Sequence, residues 1–408
     1  MSLRILITNN TLDARAGSEL YVRDLAIALL KRGHTPIAFS TVLGEVAREL
    51  RAATIPVIDN LEALTTPPDI IHGQHHIDTM IALLHFPTTP AIYFCHGWLP
   101  WEETPPHFPR ILRYVAVDHT CRDRLVFENG IPENRVRVIL NFVDIERFKP
   151  RSPLPYRPKR ALVFSNEANE QNHLKVIREA CARAGVTLDV IGSSAGGVCA
   201  EPEKVLGSYD IVFAKGRSAI EAMAVGTAVV LYGVDGMGSL VTTREMDRLR
   251  DFNFGIRALQ QPVSAVAIER EIARYDADDA IQVSKRIRST ASLDSAVEDI
   301  LDLYREALAE FAVVELNSGN EQRAASDYLR SLSPRLKDHR PPQPLDSMPR
   351  NEQNVVALEK DLADKKAELA RVTNTLGWRL LSRYGPIKYR LVLPAYRRLQ
   401  KLISHKTR

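Results

Sequence analysis

Short apolar runs alternate with helix-length stretches along most of this chain, and no other feature restricts its fold so strongly. Within residues 1–150 the strand-like runs are 4–8, 35–40, 69–72, 91–95, 114–118 and 136–140. Residues 18–31 read as a helix, with Leu20, Leu25, Ala28 and Leu29 roughly on one side and Gly33 as its stop. Apolar strands separated by helices predict a parallel sheet covered on both faces. Such sheets bind ligands beyond the carboxyl ends of their strands. The loops at 9–17, 73–76 and 96–101 are therefore expected to border one cleft.

Residues 151–159 carry Pro153, Pro155 and Pro158 and interrupt the alternation, as a linker does. The pattern restarts with strand runs at 161–165, 187–191, 211–214 and 227–232, and helices near 174–184, 218–225 and 295–311. This predicts a second α/β domain over 160–314 and a cleft between the two.

Beyond residue 314 the character changes. Residues 315–350, rich in proline and polar side chains over 331–349, read as a flexible linker. In 351–376, Val355, Leu358, Leu362, Lys365, Leu369, Val372 and Leu376 follow spacings of three and four. That pattern fits a short coiled coil, for self-association or for a partner, with Lys365 as its defect. A single amphipathic helix packed on its own body is the alternative. Residues 377–408 hold nine Lys or Arg and no Asp or Glu, with Trp378, Tyr384, Tyr389 and Tyr396 among leucines.

The formal net charge of +4 hides this asymmetry, because the remainder has 45 basic against 50 acidic residues, a net of −5. A mildly acidic body argues against a general nucleic-acid coat. The basic, aromatic tail suits the headgroup layer of an anionic membrane, and nucleic acid or an acidic partner are its alternatives. No apolar run approaches the ~18–20 residues of a membrane span, and the N-terminus lacks the pattern of a signal peptide. Cys95, Cys121, Cys181 and Cys199 have no metal-ligand spacing. Reduced thiols in the cytoplasm are expected.

The glycine at Gly17, the helix over 20–30 and the sequence Arg32-Gly33-His34 open the chain in a familiar way. Residues 114–150 add Gly130-Ile131-Pro132, Asn141-Phe142-Val143-Asp144, Phe148 and Pro150, and residues 214–230 read AKGRSAIEAMAVGTAVV. Together these resemble the GT-B fold glycosyltransferases of the family 4 type over about residues 1–312, with Phe142 in place of the usual glycine. The tail over 375–398 is similar, more weakly, to the Gly-Trp-Arg segment ending some bacterial glycan-assembly transferases. The resemblance implies two Rossmann-like domains facing a cleft, the first on the acceptor side and the second holding a nucleotide-sugar donor. It implies transfer of a sugar, with retention of configuration and without a metal or other cofactor. The acceptor would be a growing or lipid-linked glycan, and the place the cytoplasmic face of the inner membrane.

Glycosyl transfer needs the leaving diphosphate neutralised, the nucleotide clamped and the anomeric carbon held beside an acceptor hydroxyl. By resemblance, Glu221 would accept hydrogen bonds from the ribose hydroxyls, and His96 would lie against the donor sugar as the catalytic-site histidine. Lys215 and Arg217 precede a helix, where cations and free backbone N–H groups meet phosphate oxygens; solvated bases are the alternative. Gly17 would let backbone approach the diphosphate or sugar, or simply begin a helix. Three positions depart from the family: its phosphate-binding cations fall at Asn166 and Gln171, and the first motif glutamate at Phe213. These favour a catalytically degenerate scaffold as the rival reading, with a nucleotide-sugar epimerase or hydrolase as another. His72, His75 and His76 lack acidic partners and read as structural rather than metal-binding. Asp276-Ala277-Asp278 follows a polar helix and reads as a helix-end turn, and 233–238 lacks the dinucleotide fingerprint.

Overall fold

The computed structural model describes residues 2–195, 197 and 199–337. The expected coiled coil over 351–376 and the basic tail over 377–408 lie outside the described residues. Met1–Ser331 forms one compact unit that holds both sheets, and a second unit begins at Leu332.

In the first half, strands β1 (Arg4–Thr8), β2 (Thr35–Phe39), β3 (Val57–Ile58), β4 (Ile70–Gln74), β5 (Ala91–Cys95), β6 (Ile111–Ala116) and β7 (Val136–Val138) form a seven-stranded sheet. Its order is β3-β2-β1-β4-β5-β6-β7, and every pairing is parallel. Every residue of β4 and β5 is buried, as a sheet covered on both faces requires. Helices α1 (Gly17–Lys31) and α2 (Glu45–Ala52) cover one face, while α3 (His76–His85) and α4 (His119–Asp123) cover the other. Gly33 takes φ +80° where α1 ends, so the expected stop is a left-handed turn.

The second half pairs β8 (Arg160–Phe164), β9 (Thr187–Ile191), β10 (Ile211–Ala214), β11 (Ala228–Gly233) and β12 (Gly236–Leu240) in the order β12-β11-β10-β8-β9. The β12 strand runs antiparallel to β11, so residues 233–238 are a hairpin and not a phosphate loop. Helix α5 (Leu174–Arg183) packs on one face of this sheet with α9 (Ala265–Ala273). On the other lie α7 (Gly216–Val225), α8 (Met246–Arg250) and α10 (Ala277–Thr290); α6 (Pro202–Val205) is a single short turn. Asp276 is the N-cap of α10, its carboxylate accepting from the N–H groups of Asp278 and Asp279 at 2.9 and 3.1 Å. That local capping accounts for the Asp-Ala-Asp sequence without a metal.

Two later helices return to the first sheet. In α11 (Leu293–Phe311), Val297, Ile300, Leu301 and Tyr304 join Val22 and Leu25 of α1 in one core. At ~1.5–3 kcal/mol for each large apolar side chain buried, this packing ties the chain's later part to its start. The chain crosses between the sheets at Val143 and again at Ala291–Leu293. These crossings lie side by side, with Val143 N–H bonded to Ala291 O at 2.8 Å and Leu293 N–H to Val143 O at 2.9 Å. Residues 318–337, read from the sequence as part of a linker, are instead helix α12 (Ser318–Lys337). Its Ala324, Ala325 and Tyr328 pack on the first sheet's second face, and Glu321 pairs with buried Arg110 at 2.8 Å. Small alanines give that face too little apolar contrast to stand out in the sequence.

Candidate donor cleft

The three loops expected to border a cleft do meet. Asn10 N–H donates to His75 Nδ1 at 3.1 Å, joining the loop after β1 to the one after β4. Glu103 connects the loop after β5: its Oε2 accepts from His96 N–H at 2.8 Å, and its Oε1 lies 3.5 Å from His75 Nε2. Arg124 braces the same loop through the carbonyls of Gly97 and Pro100, at 2.6 and 2.8 Å. His75 holds φ +58°, a left-handed conformation that costs a non-glycine residue roughly 1–2 kcal/mol. Strain of this kind persists where surrounding contacts over-determine a residue, often at functional sites.

The second domain closes on these loops. Arg15 Nη2 donates to Ala200 O at 2.8 Å, and Arg257 pairs with Asp123 at 2.6 Å while lying 5.9 Å from the Trp98 ring centre. Asn253 pins the junction, donating to Val117 O and accepting from Asn141 N–H and Arg250.

His96 leaves the end of β5 with its ring edge-on to Tyr21, centroids 4.5 Å apart. Burial, with a further contribution from His75, pushes its pKa down to about 3, so the imidazole is neutral. Its Nε2 is buried and has no partner among the described residues. The same is true of Asn9 Oδ1, His72 Nε2 and both amide atoms of Gln74. Strand alternation and the pairing of Ile7 with His72 and of Gln74 with Phe94 put Asn9, His72, Gln74 and His96 on the α1 side of the sheet. Buried polar groups without partners cost ~1–3 kcal/mol each, so such a row suits water or a hydroxyl-bearing ligand.

Helix α1 packs on this side of the sheet, with Tyr21 against His96. Gly17 is its first residue, nothing lies within 4 Å of where a side chain would begin, and Ala16 supplies no side-chain cap. The leading N–H groups of α1 are thus open to an acceptor. Across the cleft α7 begins at Gly216, also without a side-chain cap, with Lys215 as its extended N-cap residue. The first N–H of α7, from Gly216, donates to Phe254 O at 3.0 Å, and the start of a helix favours anions.

Both candidate cations there are already paired. Lys215 Nζ lies 2.8 Å from Glu167 Oε2. Arg217 Nε donates to Glu221 Oε1 at 2.8 Å, and its Nη2 pairs with Asp24 of α1. Glu221 is only 5% exposed. Burial opposes the charge of Arg217, but Asp24 and Glu221 outweigh it and raise its pKa. Burial would likewise lift the Asp24 carboxyl, yet Arg217 and Arg23 hold it below the usual carboxylate value.

The departures from the family acquire physical reasons. Phe213 lies inside β10 at 1% exposure, packed in the second domain's core. Asn166 turns its carboxamide oxygen to Ser193 N–H at 3.1 Å, stabilising its own loop. Phe142 fills the space over Tyr21, with ring centroids 4.9 Å apart. The three histidines have separate commitments: His72 to Tyr304 at 2.7 Å, His75 to Asn10, and His76 to Tyr328 at 2.8 Å.

Residues 15–147 match the sequence profile of Glycosyltransferase Family 4. No curated protein sequence matches the chain. Among solved structures it is similar to a glycosyltransferase from Rickettsia africae, at 17% identity and a TM-score of 0.54, covering 75% of this chain and 99% of that one. It is also similar to Anabaena HepE in complex with UDP-glucose, at 15% identity and a TM-score of 0.56, covering 74% and 100%. HepE in complex with UDP aligns with a TM-score of 0.54. These likenesses, at low identity, concern the fold of two Rossmann-like domains. The chain thus has the GT-B architecture of two Rossmann-like domains, and its first domain carries the profile of Glycosyltransferase Family 4.

Proposed function

We propose that the cleft binds a nucleotide-sugar donor and transfers its sugar, with retention, to a glycan acceptor. The observation that carries this is Arg217, in the first turn of α7, bonding Glu221 of the same helix and Asp24 of α1 in the facing domain. The α7 terminus, Lys215 and Arg217 take the diphosphate, whose charge grows as the sugar departs. Glu221 accepts from the ribose hydroxyls, its Oε2 being left unoccupied by Arg217. His96, kept neutral, offers Nε2 to a sugar hydroxyl. Gly17 leaves the α1 backbone accessible from the opposite side.

The acceptor is a lipid-linked glycan of a bacterial cell surface, reached from the cytoplasmic face of the membrane. The nine basic residues and aromatics of 377–408 support this placement. Among the described residues no helix is long and apolar enough to cross a membrane. One observation favours a second reading, a degenerate scaffold: Phe213 fills the core where the family has a glutamate.

Thermal unfolding against a panel of nucleoside diphosphates and nucleotide sugars separates the two. A ligand at 100 times its Kd stabilises by ~2.7 kcal/mol. The donor reading expects a shift with one nucleotide, lost in Glu221→Ala. Folded protein that responds to none supports the scaffold.

A further inference from the structure

An alternating row of charges runs from the first domain into the donor motif. Glu49 of α2 pairs with Arg23 at 3.0 Å, and Arg23 holds Asp24 Oδ1 through Nε and Nη2 at 2.8 and 2.7 Å. Asp24 Oδ2 takes Arg217, whose Nε reaches Glu221 at 2.8 Å. Asp24 is 7% exposed, Arg23 5% and Glu221 5%, so the row is buried from α1 to α7. Arg147, paired with Glu203 at 2.7 Å, adds positive charge near Asp24 and Glu221.

Asp24 and Glu221 do different things to Arg217. Glu221 lies one turn along the same helix and moves with it. Asp24 belongs to the opposite domain, so its bond both occupies the guanidinium and ties α1 to α7. A diphosphate at the first turn of α7 brings its own negative charge beside Asp24 and competes for the same N–H donors. Glu221 then needs only one oxygen for Arg217.

We propose that Asp24 is a positioning residue: it holds Arg217 while the cleft is empty and yields it to the diphosphate, so donor entry unfastens α1 from α7. This rests on the reading of α7 as the donor-anion site. The consequence is that removing Asp24's charge weakens the empty protein and strengthens anion binding, whereas loss of a merely structural contact would not improve affinity.

Calorimetric titration of the full chain with inorganic pyrophosphate and with UDP tests this in Asp24→Asn, with Asp24→Ser as the second variant should the first fold poorly. The expected result is affinity for both probes raised roughly fivefold or more, a lower unfolding temperature without ligand, and no gain when Arg217→Gln is added. Unchanged or weaker binding in the Asp24 variants, where wild type binds, overturns the proposal and leaves the donor reading standing. If neither wild type nor variant binds either probe, both readings fall together.

Discussion

Replacing Arg217 by Met removes the guanidinium that hydrogen-bonds both Asp24 and Glu221 while keeping most of the side-chain volume. The two carboxylates do not suffer equally. Asp24 Oδ1 keeps Arg23 at 2.7 Å, whereas among the described residues the side-chain hydrogen bond to Glu221 comes from Arg217. At an effective dielectric near 20, unit charges ~4 Å apart attract by about 4 kcal/mol. Breaking one side of a buried pair costs ~3–5 kcal/mol in measured cases, chiefly because a charge is left unpaired. With roughly 2–4 °C of unfolding temperature for each kcal/mol at this domain size, the loss is about 6–20 °C. Arg32→Met is the internal control: Arg32 pairs with Asp294 and Glu298, whose side chains are 71% and 59% exposed. Such pairs contribute ~0–1 kcal/mol. Circular dichroism melts should place Arg217→Met well below Arg32→Met. Adding Glu221→Gln should recover part of the loss, since it removes the stranded charge. Equal melts for the two Met variants, or effects of Arg217→Met and Glu221→Gln that add within ~0.5 kcal/mol, would refute the reasoning.

Burial pushes the Glu103 carboxyl up to about 8, so the fold holds a proton there that the unfolded chain loses near pH 4.5. That contribution is present below pH 4.5 and lost as pH rises through 8. Glu103→Gln keeps the neutral form, and its stability relative to wild type should rise between pH 5.5 and 8, with a limiting slope of ~1.4 kcal/mol per pH unit. Urea titrations at the two pH values check this, and a constant difference would count against a protonated Glu103. Asn253→Ala removes side-chain bonds to Val117, Asn141 and Arg250 at a residue with φ +49°, so unfolding stability should drop by roughly 2–3 kcal/mol. Small-angle scattering should show a more open particle, and an unchanged radius of gyration would mean that the crossing at Val143 fixes the domains alone.

The sheets were legible because buried parallel strands read as uninterrupted apolar runs, such as AIYFC at β5 and AVVLYG at β11. The two-residue β3 and the glycine-rich β12 carry no such signal. Helix α11 was legible as a helix, but its packing on the first sheet was not, since periodicity does not name the partner core. Gly17, His96, Lys215, Arg217 and Glu221 stood out by motif in the sequence. Their company could not: Asp24 meets Arg217 only through the fold, and Glu103 meets His96 N–H within a loop whose shape the sequence does not fix. Asn9 and Gln74 align with His96 through strand register alone.

Hydrogen exchange with and without saturating UDP, read by mass spectrometry on the full chain, tests the central claim most directly. The account predicts slowed exchange in peptides spanning 214–221 and 16–20, the starts of α7 and α1. Protection confined to other segments, or none at a concentration that shifts the melting temperature, would contradict a donor site between those two helices.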